Sequence, residues 1–345
     1  MTRVPKEADR LRDRLQKIVA AFPRVTVTVL GDMVADEFIF GEISRVSREA
    51  PVLILRHRER TIVPGGGANA VNNLADLGVN VLPVGIVGND DAGRLLLRAF
   101  RHKHIPVTGI LKDKNYPTVT KTRILAGMPH TWRQQVVRVD REPEAPLDRY
   151  RARELAFAAR EYLRASDALL VSDYGYGAAT PQILNAARGK AQANSVPIVL
   201  DSRHRMLEFS GVTAATPNEA EVEEALGVKI GQNWETLCTA GEAIVSRMKL
   251  QSLVITRGRD GMVAFSGKHK PLNISVFGSD QATDVTGAGD TVIATYTAAL
   301  AAGATAEEAA HLANYAGGIV VMKRGTATVS QQELLDAIGQ AAPEK

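Results

Sequence analysis

A single cysteine, Cys238, stands in 345 residues, so no internal disulfide can form. That fits a reducing cytoplasm, with Cys238 as a small buried apolar residue. No run approaches the ~18 apolar residues that a membrane span needs. Residues 2–24 carry both charge signs with no apolar segment behind them, unlike a signal peptide. A strong excess of one charge is missing too: 42 Lys and Arg stand against 38 Asp and Glu, net +4, and the basic residues are spread along the chain. Such a balance does not make a nucleic-acid surface. The seven histidines show no HxxxH or HExxH spacing, so no histidine-built metal centre is expected, and His102 and His104 read as solvated helix-end residues. No GxxxxGK[ST] or GxGxxG follows a strand, which excludes P-loop and Rossmann dinucleotide sites. What remains is an ordinary globular composition, 45% apolar and 23% charged, long enough for one large domain with a small appendage.

Apolar periodicity supplies the organisation. Leu11, Leu15, Ile18, Val19 and Phe22 recur at helical spacing, so residues 1–23 hold an amphipathic N-terminal helix, over 7–22. A strand follows at 25–30. Segments 37–63 and 118–139 are rich in β-branched residues and read as a separate small β-sheet, a lid. Elsewhere helices fit at 67–78, 90–103, 148–165, 180–194, 218–226, 233–248, 289–302 and 305–323. Strands fit at 81–87, 107–111, 168–172, 197–201, 252–256 and 261–265. This alternation predicts an α/β fold with a mostly parallel central sheet flanked by helices, spanning 24–339, and a frayed tail at 340–345. Gly31-Asp32, Ser172-Asp173, Asp201-Ser202 and Thr256-Arg257-Gly258 all follow strands, where ligands gather in open α/β sheets.

The segment DVTGAGDTVIAT at 284–295 carries the strongest chemistry. Gly287, Ala288 and Gly289 let backbone approach a ligand closely, and a helix start offers unpaired N–H groups and a favourable dipole to an anion. Asp290 beside such an anion can accept the proton of an attacking hydroxyl. A Gly-rich turn with Asp as a helix cap is the bland alternative on spacing alone.

DVTGAGD resembles the C-terminal signature of the PfkB/ribokinase family of carbohydrate kinases. PGGGANAVNNLADLG at 64–78 resembles that family's N-terminal Gly-Gly/Asn segment, and TPNEAEV at 216–222 its Asn-x-x-Glu motif. Within the family, LGDMVADEFIFGEISRVSREAPV at 30–52, TVTKTRIL, LLVSDYGYGA and VVMKRGTATVS are similar to heptose 7-phosphate kinases of ADP-heptose synthesis. The resemblance implies a ribokinase-like fold and phosphorylation of D-glycero-β-D-manno-heptose 7-phosphate at O1, with ATP and Mg²⁺. Many such enzymes carry a nucleotidyltransferase domain as well. No HxGH-type motif occurs here, so the chain resembles the kinase half alone. Two departures stand out: Asp173-Tyr174-Gly175-Tyr176-Gly177 where the subfamily has Asp-Tyr-Ala-Lys-Gly, and Asp201-Ser202-Arg203 where it has Asp-Pro-Lys. Guanidinium and ammonium are not interchangeable. The insert at 127–134 is also unusual. Two alternatives stay open: a kinase for another sugar or sugar phosphate, and a sugar- or nucleotide-binding regulator on the same fold.

The resemblance assigns roles residue by residue. Asp290 is the base, with Gly287, Ala288 and Gly289 forming the anion cradle. Asp32, Asp36, Gly66, Gly67, Asn69 and Asp173 lie on the sugar side, where Gly65 also lets the chain lie close; Asp36 reads equally as a solvated lid residue, and the three glycines as a plain helix-entry turn. Arg45, Lys121 and Arg123 in the small sheet suit a sugar phosphate, or simply blunt a sheet edge. Asn218 and Glu221, one helical turn apart, face the metal–triphosphate end, or form a capping pair. Arg203 serves the nucleotide, Thr256, Gly258 and Gly261 match its loop, and Asn314 lies on its base-side helix. Glu221 is the divalent-metal candidate, and Asp284 and Thr286 match positions that hold a monovalent cation such as K⁺ in some relatives. The expected partners are a sugar phosphate and ATP, and the exposed lid strands are pairing edges for a homodimer.

Overall fold

Along four strands of one sheet, apolar side chains alternate between two separate cores. Val27, Val29, Ala168, Leu170, Val199 and Val254 enter one core, while Leu30, Leu169, Val171, Leu200, Leu253 and Ile255 enter the other. Strand side chains point alternately to opposite faces, so a sheet buried on both sides reads as a continuous apolar run. The computed structural model describes residues 7–127, 134–188, 196–267, 269–278 and 282–340.

The strands are β1 (Thr26–Gly31), β2 (Met33–Val46), β3 (Leu53–Gly66), β4 (Asn80–Gly88), β5 (Ile110–Asp113), β6 (Thr120–Gly127), β7 (Gln134–Arg141), β8 (Ala168–Asp173), β9 (Ile198–Ser202), β10 (Ala214–Ala215), β11 (Ser252–Thr256), β12 (Met262–Ser266) and β13 (Leu272–Ile274). The helices are α1 (Glu7–Ala21), α2 (Gly67–Asp76), α3 (Asp91–His102), α4 (Arg149–Leu163), α5 (Pro181–Arg188), α6 (Glu219–Leu226), α7 (Trp234–Met248), α8 (Ala288–Ala301), α9 (Ala306–Val320) and α10 (Gln331–Gln340). Nine strands form the main sheet in the order β13-β12-β11-β10-β9-β8-β1-β4-β5, parallel except for the antiparallel edge β11-β12-β13. One core packs α1, α2, α3, α8, α9 and α10 on one face; the other packs α4 to α7 on the opposite face.

A four-stranded sheet, β3-β2-β6-β7, stands apart. β2 and β3 pair antiparallel, β2 and β6 parallel, β6 and β7 antiparallel. Its strands run a few residues beyond the expected 37–63 and 118–139, because β2 starts immediately after Asp32 and β3 runs directly into α2. The central helices and strands lie where periodicity puts them. α10, β10 and β13 were not expected. The expected helix 180–194 is α5 to Arg188, and 189–194 lies outside the described residues, as do 128–133 of the unusual insert and 341–345 of the tail. Cys238 is only partly buried on α7, a correction to the expected core position. Among the described residues no helix is long and apolar enough to cross a membrane.

Candidate active site

β8, β9, β10 and β11 lie side by side and parallel, so their carboxyl ends deliver Asp173, Asp201, Thr216 and Thr256 to one edge of the sheet. The small sheet adds Asp36, Gly66, Lys121 and Arg123 from the other side. Together with the start of α8 these residues line a cleft of about 420 Å³. A second cavity of about 170 Å³, lined by Gly258, Gly261, Val292, Asn314 and Val321 among others, adjoins it. The two share Thr256, Val285 and Gly289, so they meet at the first turn of α8.

That turn is built for close approach. Gly287 caps the helix at φ 80°, where a side chain would be strained, and a Cβ there would lie 2.6 Å from the Asn69 amide nitrogen. A Cβ on Gly289 would meet nothing within 4 Å, so its backbone is open to a ligand. The Ala288 N–H is committed to the Val285 carbonyl at 3.2 Å. The first-turn N–H groups of Gly289 and Asp290 have no intrahelical acceptor.

Asp290 is 3% exposed. Asn69 Nδ2 donates to its Oδ2 at 2.9 Å, and the Tyr174 hydroxyl donates to its Oδ1 at 2.8 Å. Burial raises its pKa from 3.8 to about 6. The two hydrogen bonds and the Arg203 charge pull it down, while Asp36 pushes it up. It therefore ionises near neutrality, where a general base is most effective. Asn69 does not line the cleft. It is wholly buried, with its amide nitrogen on Asp290 and its amide oxygen accepting from Asn73 at 3.2 Å.

Asp32 also lies beneath the cleft. Its carboxylate accepts the backbone N–H groups of Tyr174, Tyr176 and Ala178 at 2.8, 3.0 and 2.8 Å. Burial raises its pKa to about 6 against those donors. Gly67 packs on the same corner, where a Cβ would be 2.9 Å from the Asp32 carbonyl oxygen. Asp36 faces the cleft, paired with Arg123 at 2.6 Å, and Thr326 donates to it at 3.3 Å. Bare Gly65 makes room for it, since a Cβ there would sit 2.5 Å from the Asp36 carboxylate. Asp173 is bound by both Arg205 nitrogens, at 2.6 and 3.0 Å, and by Ser202 at 2.7 Å.

Among the expected basic residues, Lys121 lies 5.1 Å from the centre of the Tyr174 ring, with Arg203 5.5 Å from the same ring. Burial, then the Arg203 charge, lowers the Lys121 pKa. Like charges held this close favour an incoming anion. Arg123 spends its guanidinium on Asp36. Arg45 sits exposed near the far end of β2 and does not line the cleft, a correction: nine residues beyond Asp36 at about 3.3 Å each put it nearly 30 Å along the strand.

Asn218 and Glu221 form a reciprocal capping box at α6, with both bonds at 2.9 Å, and still line the cleft. Glu221 and Asp201 both have raised pKa values, from burial first; for Asp201, the Glu221 charge comes next. The buried Thr216 hydroxyl beside them lacks a hydrogen-bond partner. Two carboxylates short of positive charge and an orphaned hydroxyl fit a magnesium-bound triphosphate. No cluster of three or more His, Cys, Asp or Glu side chains forms a metal cage among the described residues. Such an ion would therefore be held largely by the phosphates it accompanies. Asp284 accepts the N–H groups of Thr286 and Gly325 at 2.9 and 3.0 Å. Burial raises its pKa, but these donors outweigh it and hold the carboxyl below its usual range. This geometry braces the loop. Asn314 donates to the Ser275 carbonyl at 2.8 Å and shapes the second cavity with Gly258 and Gly261.

Sequence reasoning passed over Tyr174, Asp201 and Thr216 as site residues. Asp201 was visible at a strand end, and Thr216 stands just before the Asn-x-x-Glu motif. Tyr174 stood in the Asp-Tyr segment that matches the subfamily, but nothing local pointed to its role, because its partner is 116 positions away.

The chain matches the family described as pfkB family carbohydrate kinase over residues 26–333. It is 37% identical over 329 residues to the bifunctional protein HldE of Geobacter metallireducens, covering 95% of this chain and 66% of that protein. To the bifunctional protein HldE of Gluconobacter oxydans it is 38% identical over 320 residues, covering 92% and 65%. The chain spans about two thirds of the length of these curated relatives. Its fold is similar to that of Arabidopsis thaliana ribokinase complexed with ribose and ATP (TM-score 0.70, 20% identity, 92% of this chain and 99% of that one). It is also similar to Escherichia coli phosphofructokinase-2 (TM-score 0.73, 18% identity, 91% and 98%).

Proposed function

Because this chain belongs to the pfkB family of carbohydrate kinases, phosphotransferases acting on a sugar hydroxyl, we propose that it phosphorylates D-glycero-β-D-manno-heptose 7-phosphate at O1 with ATP, and that Asp290 is the base. The observation that carries this reading is the meeting of two cavities at one helix start, beside a buried carboxylate whose pKa stands near 6.

The acceptor enters the larger cleft under the small sheet, with Asp36 and the backbone of Gly66 on its hydroxyls and its remote phosphate toward Lys121, while Arg203, which faces Asp201 and Glu221, stays on the nucleotide side. Charge-assisted hydrogen bonds offset the desolvation of a dianion, and Lys121, buried and close to the Arg203 charge, gains from an anion beside it. The nucleotide base enters the apolar second cavity, and the triphosphate runs past Thr256 to Gly289. There the free N–H groups of α8 and the positive end of its dipole stabilise the phosphoryl group in transfer. Asp290 takes the proton from the attacking hydroxyl, and Asn69 holds the carboxylate at attacking distance. When magnesium accompanies ATP, Glu221 would hold it, and it supplies charge neutralisation of the phosphates.

An ATP-consumption assay across heptose 7-phosphate, other sugar phosphates and free hexoses and pentoses tests the assignment. Heptose 7-phosphate should give the highest kcat/KM. Equal turnover of an unphosphorylated sugar would refute the phosphate placement, and near-wild-type activity in Asp290→Asn would refute the base.

A further inference from the structure

The second donor to Asp290 is a residue outside the roles described so far. Tyr174 follows β8, and its hydroxyl reaches Asp290 Oδ1 at 2.8 Å. Its ring centre lies 5.1 Å from the Lys121 ammonium and 5.5 Å from the Arg203 guanidinium, and a Cβ on Gly66 would come within 3.3 Å of the ring, so bare Gly66 leaves room for it. The backbone of the same loop is tied down from below. Gly175 and Gly177 take φ values of 88° and 101°, a path open to glycine, which turns the N–H groups of Tyr174, Tyr176 and Ala178 onto the one carboxylate of Asp32. One buried aspartate thus fixes the loop, and the loop fixes a donor on a second buried aspartate.

We propose that Tyr174 is a positioning residue for Asp290, held in register by Asp32, and that this linkage sets both the direction and the basicity of the base. The proposal rests on the reading of Asp290 as the base. A hydroxyl donating to a carboxylate favours its ionised form, so Tyr174 works against the burial that makes Asp290 hard to ionise. Tyr174 remains protonated while doing so. Burial, and then the charges of Asp290 and Asp201, push its own pKa well above the ordinary value of 10, so it cannot deliver its proton and acts only as a fixed donor. With Oδ2 held by Asn69 and Oδ1 by Tyr174, the carboxylate cannot rotate, and its remaining lone pairs stay aimed at the cleft. The other charged groups facing Asp290 are Asp36 from β2, Asp201 from β9 and Arg203 just beyond β9. Lys121 of β6 lies 5.1 Å from the centre of the tyrosine ring.

The alternative is that Tyr174 only fills space beside two cations. Tyr174→Phe separates the two, since it keeps the ring and deletes the hydroxyl. The acidic limb of kcat/KM against pH reports the base in the free enzyme. Loss of one donor to a buried carboxylate should move that limb upward by about one pH unit, with activity recovering toward wild type above it. ATP affinity, measured by direct binding, should stay unchanged, because the nucleotide cavity is lined from 256 to 321. Asp32→Asn should move the limb in the same direction, and the double variant no further than Tyr174→Phe alone, since Asp32 acts through Tyr174. An unmoved limb in Tyr174→Phe, with activity lost evenly at all pH values or not at all, overturns the Tyr174 assignment. A double variant shifted beyond the single one overturns the Asp32 link. Asp290→Asn serves as the reference: if it turns over, the base reading falls and this proposal with it; if it is dead while the Tyr174→Phe limb stays put, only this proposal falls.

Discussion

Replacing Asp290 by asparagine should destroy turnover and, at neutral pH, make the protein more stable. The carboxylate is 3% exposed, and its pKa stands at about 6 in the folded chain against 3.8 as the ordinary value. A raised acid pKa means that the folded state holds the proton more tightly than the unfolded one. Wild-type stability therefore falls as pH rises from about 4 to about 6, and the cost is complete above that window. Each pKa unit is worth about 1.4 kcal/mol, so the cost reaches roughly 3 kcal/mol. Asparagine carries no charge and escapes it. The amide does lose something at every pH, since its NH₂ cannot accept from both Asn69 and Tyr174; one lost hydrogen bond costs about 1 kcal/mol. The measurable quantity is thus the change in the stability gap between pH 4 and pH 8. Asp32, also raised to about 6, is present in both proteins and cancels, whereas relief of Asp201, which feels the Asp290 charge, adds in the same direction. For a chain of 345 residues the unfolding entropy is roughly 0.7 kcal/mol/K, so the gap in Tm should widen by about 4 °C over that range. Calorimetry of both proteins at several pH values is the assay. A gap that is constant with pH, or that narrows as pH rises, would refute the claim that burial of an ionised Asp290 strains the fold.

Wild-type kcat/KM should fall as pH drops through about 6, because Asp290 then holds a proton and cannot accept another; a pH–rate profile without an acidic limb between 5 and 7 would contradict this. Gly287→Ala and Gly289→Ala should part company. The first forces a left-handed residue, worth about 1–2 kcal/mol of stability, and pushes on Asn69, so stability and kcat both drop; the second meets no protein atom and should leave Tm alone while impairing turnover through a methyl group where the two cavities join. Lys121→Ala should raise the KM for a phosphorylated acceptor about tenfold or more and leave the ATP KM unchanged, as steady-state kinetics with each substrate varied will show.

The alternation of helices and β-rich strands, and the β-branched character of 37–63 and 118–139, made the two-sheet architecture legible, because burial on both faces and partial exposure leave different patterns. Edge pieces escaped: β10 has two residues and β13 three, too short for any periodicity to register, and α10, ten residues ending where the frayed tail was expected to begin, was not assigned. At the site, the Gly-rich start of α8 was visible because it concentrates its chemistry in seven consecutive residues. The division of labour around it was not. Asp32 and Asn69 read as sugar ligands since both are polar and sit beside glycines, yet what decides their role is depth: each is buried beneath the cleft with its polar atoms occupied by protein donors and acceptors. Arg45 and Arg123 read alike as lid cations, and only strand length and pairing separate them. The Tyr174–Asp290 bond joins two segments through tertiary packing alone.

The chain passes between its two sheets at very few places: through Asp32 and Gly66–Gly67 on one side, and through the stretches on either side of β6 and β7 on the other. Among the described residues, none that lines the second cavity belongs to the four-stranded sheet. The small sheet is therefore a cassette with its own splice points, and on the proposed function the acceptor face could be exchanged between relatives without touching the second cavity. The splice points themselves are not neutral, since Asp32 and the start of α2 are the same residues that hold the loop of 174–178 and the Asn69 amide. A graft would have to cut outside 33–66, keeping Asp32 and Gly67 from the recipient, or the transplanted specificity would arrive with a misaligned base.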